Sequence, residues 1–390
     1  MKLEFSGFKH TDSSPLAEAL ASIRHVESLG YEKPLLMAYT PVARMNPFQA
    51  LLYSSFLESG IAVTPLIKPL LFDRLTQLRT LVSDVVVHLH WNSVILAGAK
   101  DLRDARKRVD SFKERVDRFT SAGGKLMWTV HNLLPHDAEY LDEEMELQQF
   151  IADRCSVIHT MSRATDEAMT GILNLDKSKV LVSPHPSYEG AYEDYVGRHE
   201  ARMTLGIDSD EIVYVLLGAI KPYKGVSRFI EGFDEFGASA TGRRRLIVAG
   251  EPDTSTDTAR LLDVCRQHPN ILLDDRKIPA NLVQYYLRAA DIAVVPYLRV
   301  LNSGAALLGP TFGLPVIASR SGSLPEVLDH SFAEFIEASG VDSVARALRR
   351  GDRLLDEEAR RAAEAFAQRL TPRPVSHAFA EQLRKKLNAS

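Results

Sequence analysis

The stretch Gly218-Ala-Ile-Lys-Pro-Tyr-Lys-Gly225 follows the apolar run Ile212-Val-Tyr-Val-Leu-Leu217 and precedes Val226-Ser-Arg-Phe-Ile-Glu-Gly-Phe233. An unbroken apolar run reads as a parallel strand covered on both faces, and the segment after it carries helical spacing. The loop between them lies where a strand hands over to a helix. Free backbone amides and the helix dipole favour an anion at such a junction. Lys221 and Lys224 add point charges suited to a diphosphate, and Gly218 and Gly225 bracket them. A solvated loop with two lysines is the alternative.

The same strand-then-helix rhythm extends both ways. In the first half, strands are predicted at 34–39, 61–66, 83–90, 125–131, 155–160 and 180–183. In the second half they fall at 212–217, 245–249, 271–273, 291–296 and 315–318. Helices are predicted over 14–29, 47–59, 99–122, 281–289 and 374–387. Apolar runs alternating with helical stretches imply two doubly wound, Rossmann-like α/β domains facing one cleft. Pro184-His-Pro186 and the polar, aromatic stretch after it place the boundary between 184 and 195. The division is a first domain of 1–190, a second of 191–373 and a closing helical segment of 374–390.

At 390 residues, two domains are the default expectation. A net charge of −4 argues against nucleic acid as a partner, which would call for a basic surface. The two cysteines, Cys155 and Cys265, form no metal-binding or disulfide pattern. The first ten residues carry charges where a signal peptide needs an apolar core, and no run reaches the roughly 18 apolar residues of a membrane span. The expectation is a cytoplasmic protein.

Downstream of the lysine loop, Gly250-Glu251 ends a strand, with a carboxylate able to hold a ribose hydroxyl or orient a lysine. Lys277 lies in a loop where a base could stack. Asn302-Ser-Gly304 opens a helix and offers a hydroxyl, an amide and bare N–H groups to phosphate oxygens. Arg320-Ser-Gly-Ser-Leu-Pro-Glu326 brings a glycine loop and a carboxylate to another helix start.

In this order, the lysine-glycine loop, the Gly-Glu strand end, Ala290-Asp-Ile-Ala-Val-Val-Pro296, Gly313-Leu-Pro-Val-Ile317 and Gly322-Ser-Leu-Pro-Glu326 resemble the donor domain of GT-B glycosyltransferases. The resemblance is to the family 4-like group, in particular to bacterial exopolysaccharide and glycolipid transferases, and it covers about residues 212–330. It implies donor-binding roles for Gly218, Lys221, Lys224, Glu251, Lys277, Asn302, Ser303, Gly304 and Glu326. It also implies a last helix crossing back to the first domain and chemistry that needs no metal or other cofactor. The chain departs from the retaining members in one respect: the stretch 301–309 has neither of their two glutamates.

In the first domain, Trp128-Thr-Val-His-Asn-Leu-Leu-Pro-His-Asp137 ends a strand where open sheets bind ligands. His131 and Asp137 are the catalytic candidates. His131 would polarise the donor sugar or take a proton, and Asp137, or Glu139, would deprotonate an acceptor hydroxyl. His90 and Asn92, from His88-Leu-His-Trp-Asn92, line the acceptor site or cap the sheet. Arg44 would meet an anionic acceptor; Asn46 is a second acceptor candidate and, with Pro47, reads as a helix cap.

Three features invite other readings. Asp208-Ser-Asp210 imitates a metal motif but sits in a predicted turn. The charged helix 99–122 reads as a solvated, ion-paired helix or a membrane face. Residues 72–81 read as a packed helix or a segment resting on a bilayer, the peripheral contact a lipid-linked acceptor would require. The function expected is a metal-independent transferase moving a sugar from a nucleotide-diphosphate sugar to a glycan or glycolipid hydroxyl. A nucleotide-sugar 2-epimerase and a non-catalytic sugar-nucleotide binder or scaffold are the alternatives.

Overall fold

Twelve strands form two separate all-parallel sheets in the computed structural model, which describes residues 16–67, 72–132, 139–238, 240–337 and 340–389. The first sheet contains β1 (Leu35–Thr40), β2 (Ile61–Pro65), β3 (Val85–Leu89), β4 (Lys125–Thr129), β5 (Val157–Thr160) and β6 (Val180–Val182), ordered β2-β1-β3-β4-β5-β6. The second contains β7 (Ile212–Leu217), β8 (Arg244–Ala249), β9 (Ile271–Asp274), β10 (Ile292–Val295), β11 (Val316–Ser319) and β12 (Ala333–Ile336), ordered β12-β11-β10-β7-β8-β9. In each, the chain winds outward on one side, then returns to start the other. The direction reverses between β1 and β3 and between β10 and β7. Those two points are where doubly wound sheets bind ligands.

The chain divides into two compact units, residues 1–186 with 372–390 and residues 187–371. Each has its own core. In the first, Met37, Val86, Met127 and Val157 from the sheet meet Phe48 and Phe56. The helix Pro372–Ala389 belongs to this unit because Phe379, Leu383 and Leu387 recur at helical spacing and are buried in the same core. Ser376 Oγ accepts from the Ser55 amide at 2.9 Å, and Arg384 donates to the carbonyls of Ser59 and Gly60. In the second unit, Tyr214, Leu246, Val248 and Ile292 pack against Phe229 and Phe233 from the helix Val226–Gly237.

Two expectations need correction. β12 was not predicted: Phe332-Ala-Glu-Phe-Ile336 is interrupted by Glu334, which breaks the apolar run. The charge is tolerated because Arg350 and Arg353 donate to its carboxylate. The helix expected over 47–59 stops at Leu52, and residues 53–60 continue as turns. Ser55 and Ser59 lie in that stretch, where hydroxyls compete for backbone groups; Ser59 Oγ donates to the Ser55 carbonyl. Residues 72–78 form a tight 3₁₀ helix whose Phe72 and Leu75 are fully buried, with Phe72 set edge-on to Phe112 and Phe119. Its apolar side is therefore used inside the protein rather than offered to a bilayer.

The charged helix Leu102–Ser121 is ion-paired along its length, Arg106 with Glu143, Lys113 with Glu146, Arg108 with Asp104 and Asp117 with Arg154. Asp208 and Asp210 both receive Arg243, which gives these carboxylates a structural partner in their turn. Among the described residues no helix is long and apolar enough to cross a membrane.

Candidate active site

In the second unit the lysine loop leaves β7 and passes beside the end of β10, at the reversal point of the sheet. Gly218 has φ +128° and Gly225 φ +69°, values that L-residues with a side chain rarely adopt. Gly225 also faces the Pro296 carbonyl so closely that a Cβ there would lie 2.1 Å from its oxygen. The loop is tied down at both sides. Ile220 donates to the Glu251 carbonyl at 2.8 Å, and Leu298 donates to the Tyr223 carbonyl at 2.8 Å. Gly225→Ala should combine a left-handed backbone penalty with this clash and destabilise the second unit by on the order of 2–3 kcal/mol. A urea titration would show a lower midpoint with an unchanged slope; an unaltered midpoint would mean the turn is less constrained than its contacts imply.

Within the loop, Lys224 is the fixed cation. Its ammonium donates to Tyr297 Oη at 2.6 Å and stands 4.0 Å from the centre of that ring. Burial alone would lower the Lys224 pKa, but the phenols of Tyr297 and Tyr223 outweigh it and keep the ammonium charged. A positive charge partly withdrawn from water is worth more to an anionic ligand than one in solvent. Lys221, with an extended backbone, adds its field to the Asp253 side of the loop.

The first unit gathers histidines at the ends of β3, β4 and β5. His88 and His90 both bond Tyr53 Oη, through Nδ1 and Nε2 respectively, each at 2.7 Å. His90 Nδ1 meets His131 Nε2 at 3.0 Å, and the His131 ring stacks on Trp91 with centroids 4.2 Å apart. Burial pushes His88, His90 and His131 well below the ordinary histidine value, so all three rings are neutral at pH 7. A neutral His131 can accept a proton or hydrogen bond from a hydroxyl; it cannot act as a cationic electrophile. Nearby, Asn92 Oδ1 is buried without a hydrogen-bond partner, an acceptor that a substrate hydroxyl would satisfy.

Residues 197–369 match the family model described as glycosyl transferases group 1. Over 319 residues the chain is 23% identical to a GDP-mannose:glycolipid 4-beta-D-mannosyltransferase of Xanthomonas campestris pv. campestris, covering 81% of this chain and 80% of that one. The chain carries a glycosyl transferases group 1 domain. A D-inositol 3-phosphate glycosyltransferase of Segniliparus rotundus is 33% identical over a shorter span, 32% of this chain and 28% of its own. Among solved structures, a sucrose-phosphate synthase from Thermosynechococcus elongatus superposes with a TM-score of 0.66 at 14% identity, over 92% of this chain and all of that one. Anabaena HepE, solved with UDP and glucose, gives 0.66 at 13%, over 90% of this chain and all of its own. Both likenesses establish the GT-B fold of the glycosyltransferase.

The remaining sequence-predicted residues of this glycosyltransferase lie at the carboxyl edges of the two sheets. Glu251 follows β8 and Lys277 follows β9; both are exposed. Ser303 is buried just ahead of the helix Ala305–Thr311, beside Asn302 and Gly304. That loop is joined to the next one: Ser323 donates to the Leu301 carbonyl, and a Cβ on Gly322 would lie 2.1 Å from the Val300 carbonyl oxygen. Glu326 is exposed on the short helix Leu324–Val327. In the first unit, Arg44 and Asn46 are exposed on the loop after β1. Asn46 Oδ1 accepts from the Phe48 amide at 3.0 Å, but the helix starts one residue later than expected, so Pro47 and not Asn46 holds its cap position. Asp137 lies outside the described residues; Glu139 is described and exposed.

Sequence reasoning passed over several residues that hold these sites. Asp291, the acid of the Ala-Asp-Ile motif, accepts from Arg198, Arg202, Arg360 and the Val213 amide, so the motif carries an anchor between β7 and β10. Gln49 clamps the loop after β1 by donating to the Pro41 carbonyl and accepting from the Ala43 amide. Tyr297, beside the motif proline, gave a usable signal as an aromatic at a strand end. Tyr53 gave none, because only the fold brings it to His88 and His90.

Proposed function

We propose that this glycosyltransferase moves a hexosyl group from a nucleotide-diphosphate sugar to a hydroxyl of a glycan or lipid-linked acceptor, without a bound metal. The observation that carries the reading is Lys224, charged, partly buried and fixed by Tyr297 at the reversal point of the second sheet. Lys221, Ser303 and Gly304 would share the diphosphate. Charge grows on the leaving diphosphate as the glycosidic bond breaks, so a preset cation and backbone amides lower that barrier. Glu251, Lys277, Asn302 and Glu326 would complete the nucleotide-sugar contacts, and Arg44, His90 and Asn92 those to the acceptor.

The acceptor oxygen attacks the anomeric carbon, the carbon–phosphate-oxygen bond breaks with its electron pair leaving on the diphosphate, and the hydroxyl proton passes to neutral His131. The stretch 301–309 has no glutamate, and the Xanthomonas relative is named for a β linkage. Both favour a single in-line displacement that inverts the anomeric centre. The same name places GDP-mannose first among donors to try, with UDP-sugars as the comparison.

Thermal stabilisation against GDP-, UDP-, ADP- and TDP-sugars tests the donor site. Saturation at about a hundred times Kd should add about 2.7 kcal/mol to stability. A midpoint rise with one nucleotide family, lost in Lys224→Ala, is the expected result. A flat panel at millimolar ligand would remove the donor-site assignment.

A further inference from the structure

Five buried side chains of the first unit join His131 to the backbone carbonyl of Ser183 in one unbroken series. His131 Nε2 meets His90 Nδ1 at 3.0 Å, and His90 Nε2 meets Tyr53 Oη at 2.7 Å. Tyr53 Oη meets His88 Nδ1 at 2.7 Å, and His88 Nε2 meets Thr129 Oγ1 at 2.6 Å. Thr129 Oγ1 then meets His159 Nδ1 at 2.9 Å, and His159 Nε2 meets the Ser183 carbonyl oxygen at 3.0 Å. The strands set this path: Thr129 of β4 and His159 of β5 are registered partners, and β3 places His88 alongside β4. Among the described residues, no three of His, Cys, Asp and Glu stand in a metal-holding group. The nitrogens of His88, His90 and His159 are instead all engaged within the series.

The hydrogens along this path have a single consistent direction. A carbonyl oxygen only accepts, so His159 Nε2 carries its proton and, in a neutral ring, Nδ1 is the acceptor. Thr129 must then donate to His159 and accept from His88 Nε2–H. His88 Nδ1 is left as acceptor, so Tyr53 donates to it and accepts in turn from His90 Nε2–H. His90 Nδ1 accepts from His131 Nε2–H. Neutrality of the rings, which the argument requires, follows from their burial: His159 is lowered to about 4 and the other three also fall well below the ordinary value. The same burial holds the Tyr53 phenol well above its usual range, so its proton stays on.

We propose that this one-way series fixes His131 as its Nε2–H tautomer, making Nδ1 the nitrogen that accepts the acceptor's hydroxyl proton, with Tyr53, His88, His90, Thr129 and His159 as positioning residues. The proposal rests on the reading of His131 as the group that receives that proton. Reversing the tautomer would turn an acceptor into a donor at the reacting atom, so the order of protons six residues away bears on catalysis. Two nearly isosteric changes cut the series, Tyr53→Phe in its middle and Thr129→Val nearer its anchored end. Each frees the rings beyond the cut to adopt the opposite order.

The test uses the full chain labelled with ¹⁵N-histidine and two-bond nitrogen–proton correlation spectra. In the unsubstituted protein His88, His90, His131 and His159 should all show Nε2–H with unprotonated Nδ1. Tyr53→Phe and Thr129→Val should give mixed tautomers at His131 and a kcat about tenfold lower with the donor KM unchanged. His131→Asn, whose amide oxygen overlays Nδ1, should retain more activity than His131→Gln, which overlays Nε2. A wild-type His131 protonated at Nδ1, or unchanged His131 spectra in both cut variants, would overturn the proposal. His131→Ala with undiminished turnover would instead sink the catalytic reading of His131, while the spectra would still report whether the series is ordered.

Discussion

Lys224→Ala is expected to lower kcat by on the order of 10²–10³-fold, the range seen when one fixed donor to a developing oxyanion is removed. The size of the effect follows from position. Lys221 and Lys224 share a loop, but Lys224 is the one set beside two phenols, half-buried and pinned by a 2.6 Å hydrogen bond to Tyr297. Such a cation pays little reorganisation when charge develops nearby, whereas an exposed lysine such as Lys277 must desolvate and order its side chain. Lys277→Ala should therefore cost less than Lys224→Ala in the same assay. Tyr297→Phe keeps the ring face under the ammonium but removes the hydroxyl, and a loss of severalfold, mostly in kcat, is expected. Arg in place of Lys224 would not restore full rate, because a planar guanidinium needs more room than the Tyr297 face and the glycine-bracketed turn leave. Initial rates with saturating donor decide the matter, with the thermal midpoint as a control for folding. A Lys224→Ala enzyme within threefold of wild type would remove the diphosphate-stabilising role.

The second unit was the more legible half because its chemistry rests on backbone geometry, which leaves a trace in local sequence. Gly218, Gly225, Gly250 and Gly322 mark positions where the chain takes positive φ. A Cβ at Gly225, Gly250 or Gly322 would lie 2.0 to 2.1 Å from a backbone oxygen. Such glycines cannot drift without breaking the fold, so their spacing can be read directly. β12 escaped because its Glu334 is neutralised by arginines 16 and 19 residues away, a compensation no local window contains. In the first unit, His131 and His90 could be placed at strand ends by period and turn alone. The partners that give them a protonation state, Tyr53 from the turn after the helix Phe48–Leu52, Thr129 from β4 and His159 from β5, are far apart in sequence and meet only in the fold. Each of them alone reads as an ordinary core residue.

Acidification should weaken the first unit selectively, and the cause is the same buried set of imidazoles. His159 is fully buried and lowered to about 4 by desolvation, against an ordinary value of 6.5. Above pH 6.5 neither the folded nor the unfolded chain protonates it, so its contribution to stability is constant. Between 6.5 and 4 the unfolded chain takes up a proton that the folded ring refuses, so stability falls as pH falls and levels off only below 4. At pH 5 His159 alone then costs about 2 kcal/mol. His185 is also lowered to about 4, and His88, His90 and His131 move in the same direction. Glu144 works the other way: burial raises it to about 7, so the folded chain gains stability as pH drops from 7 towards 4.5. One carboxyl offsets roughly one imidazole, so of the two histidines at about 4 a net loss on the order of 2 kcal/mol remains between pH 7 and pH 5, and His88, His90 and His131 add to it. The second unit buries no histidine among its described residues and supplies an internal control. Native-state hydrogen exchange should show protection in β3, β4 and β5 collapsing over this interval while β7, β8 and β10 hold theirs. Equal responses of the two sheets, or an unchanged first sheet at pH 5, would mean that the histidine series is solvated and able to charge in place. Water would then have access to the rings that set the His131 tautomer, so the acid response and the proton order of His131 stand on the same burial.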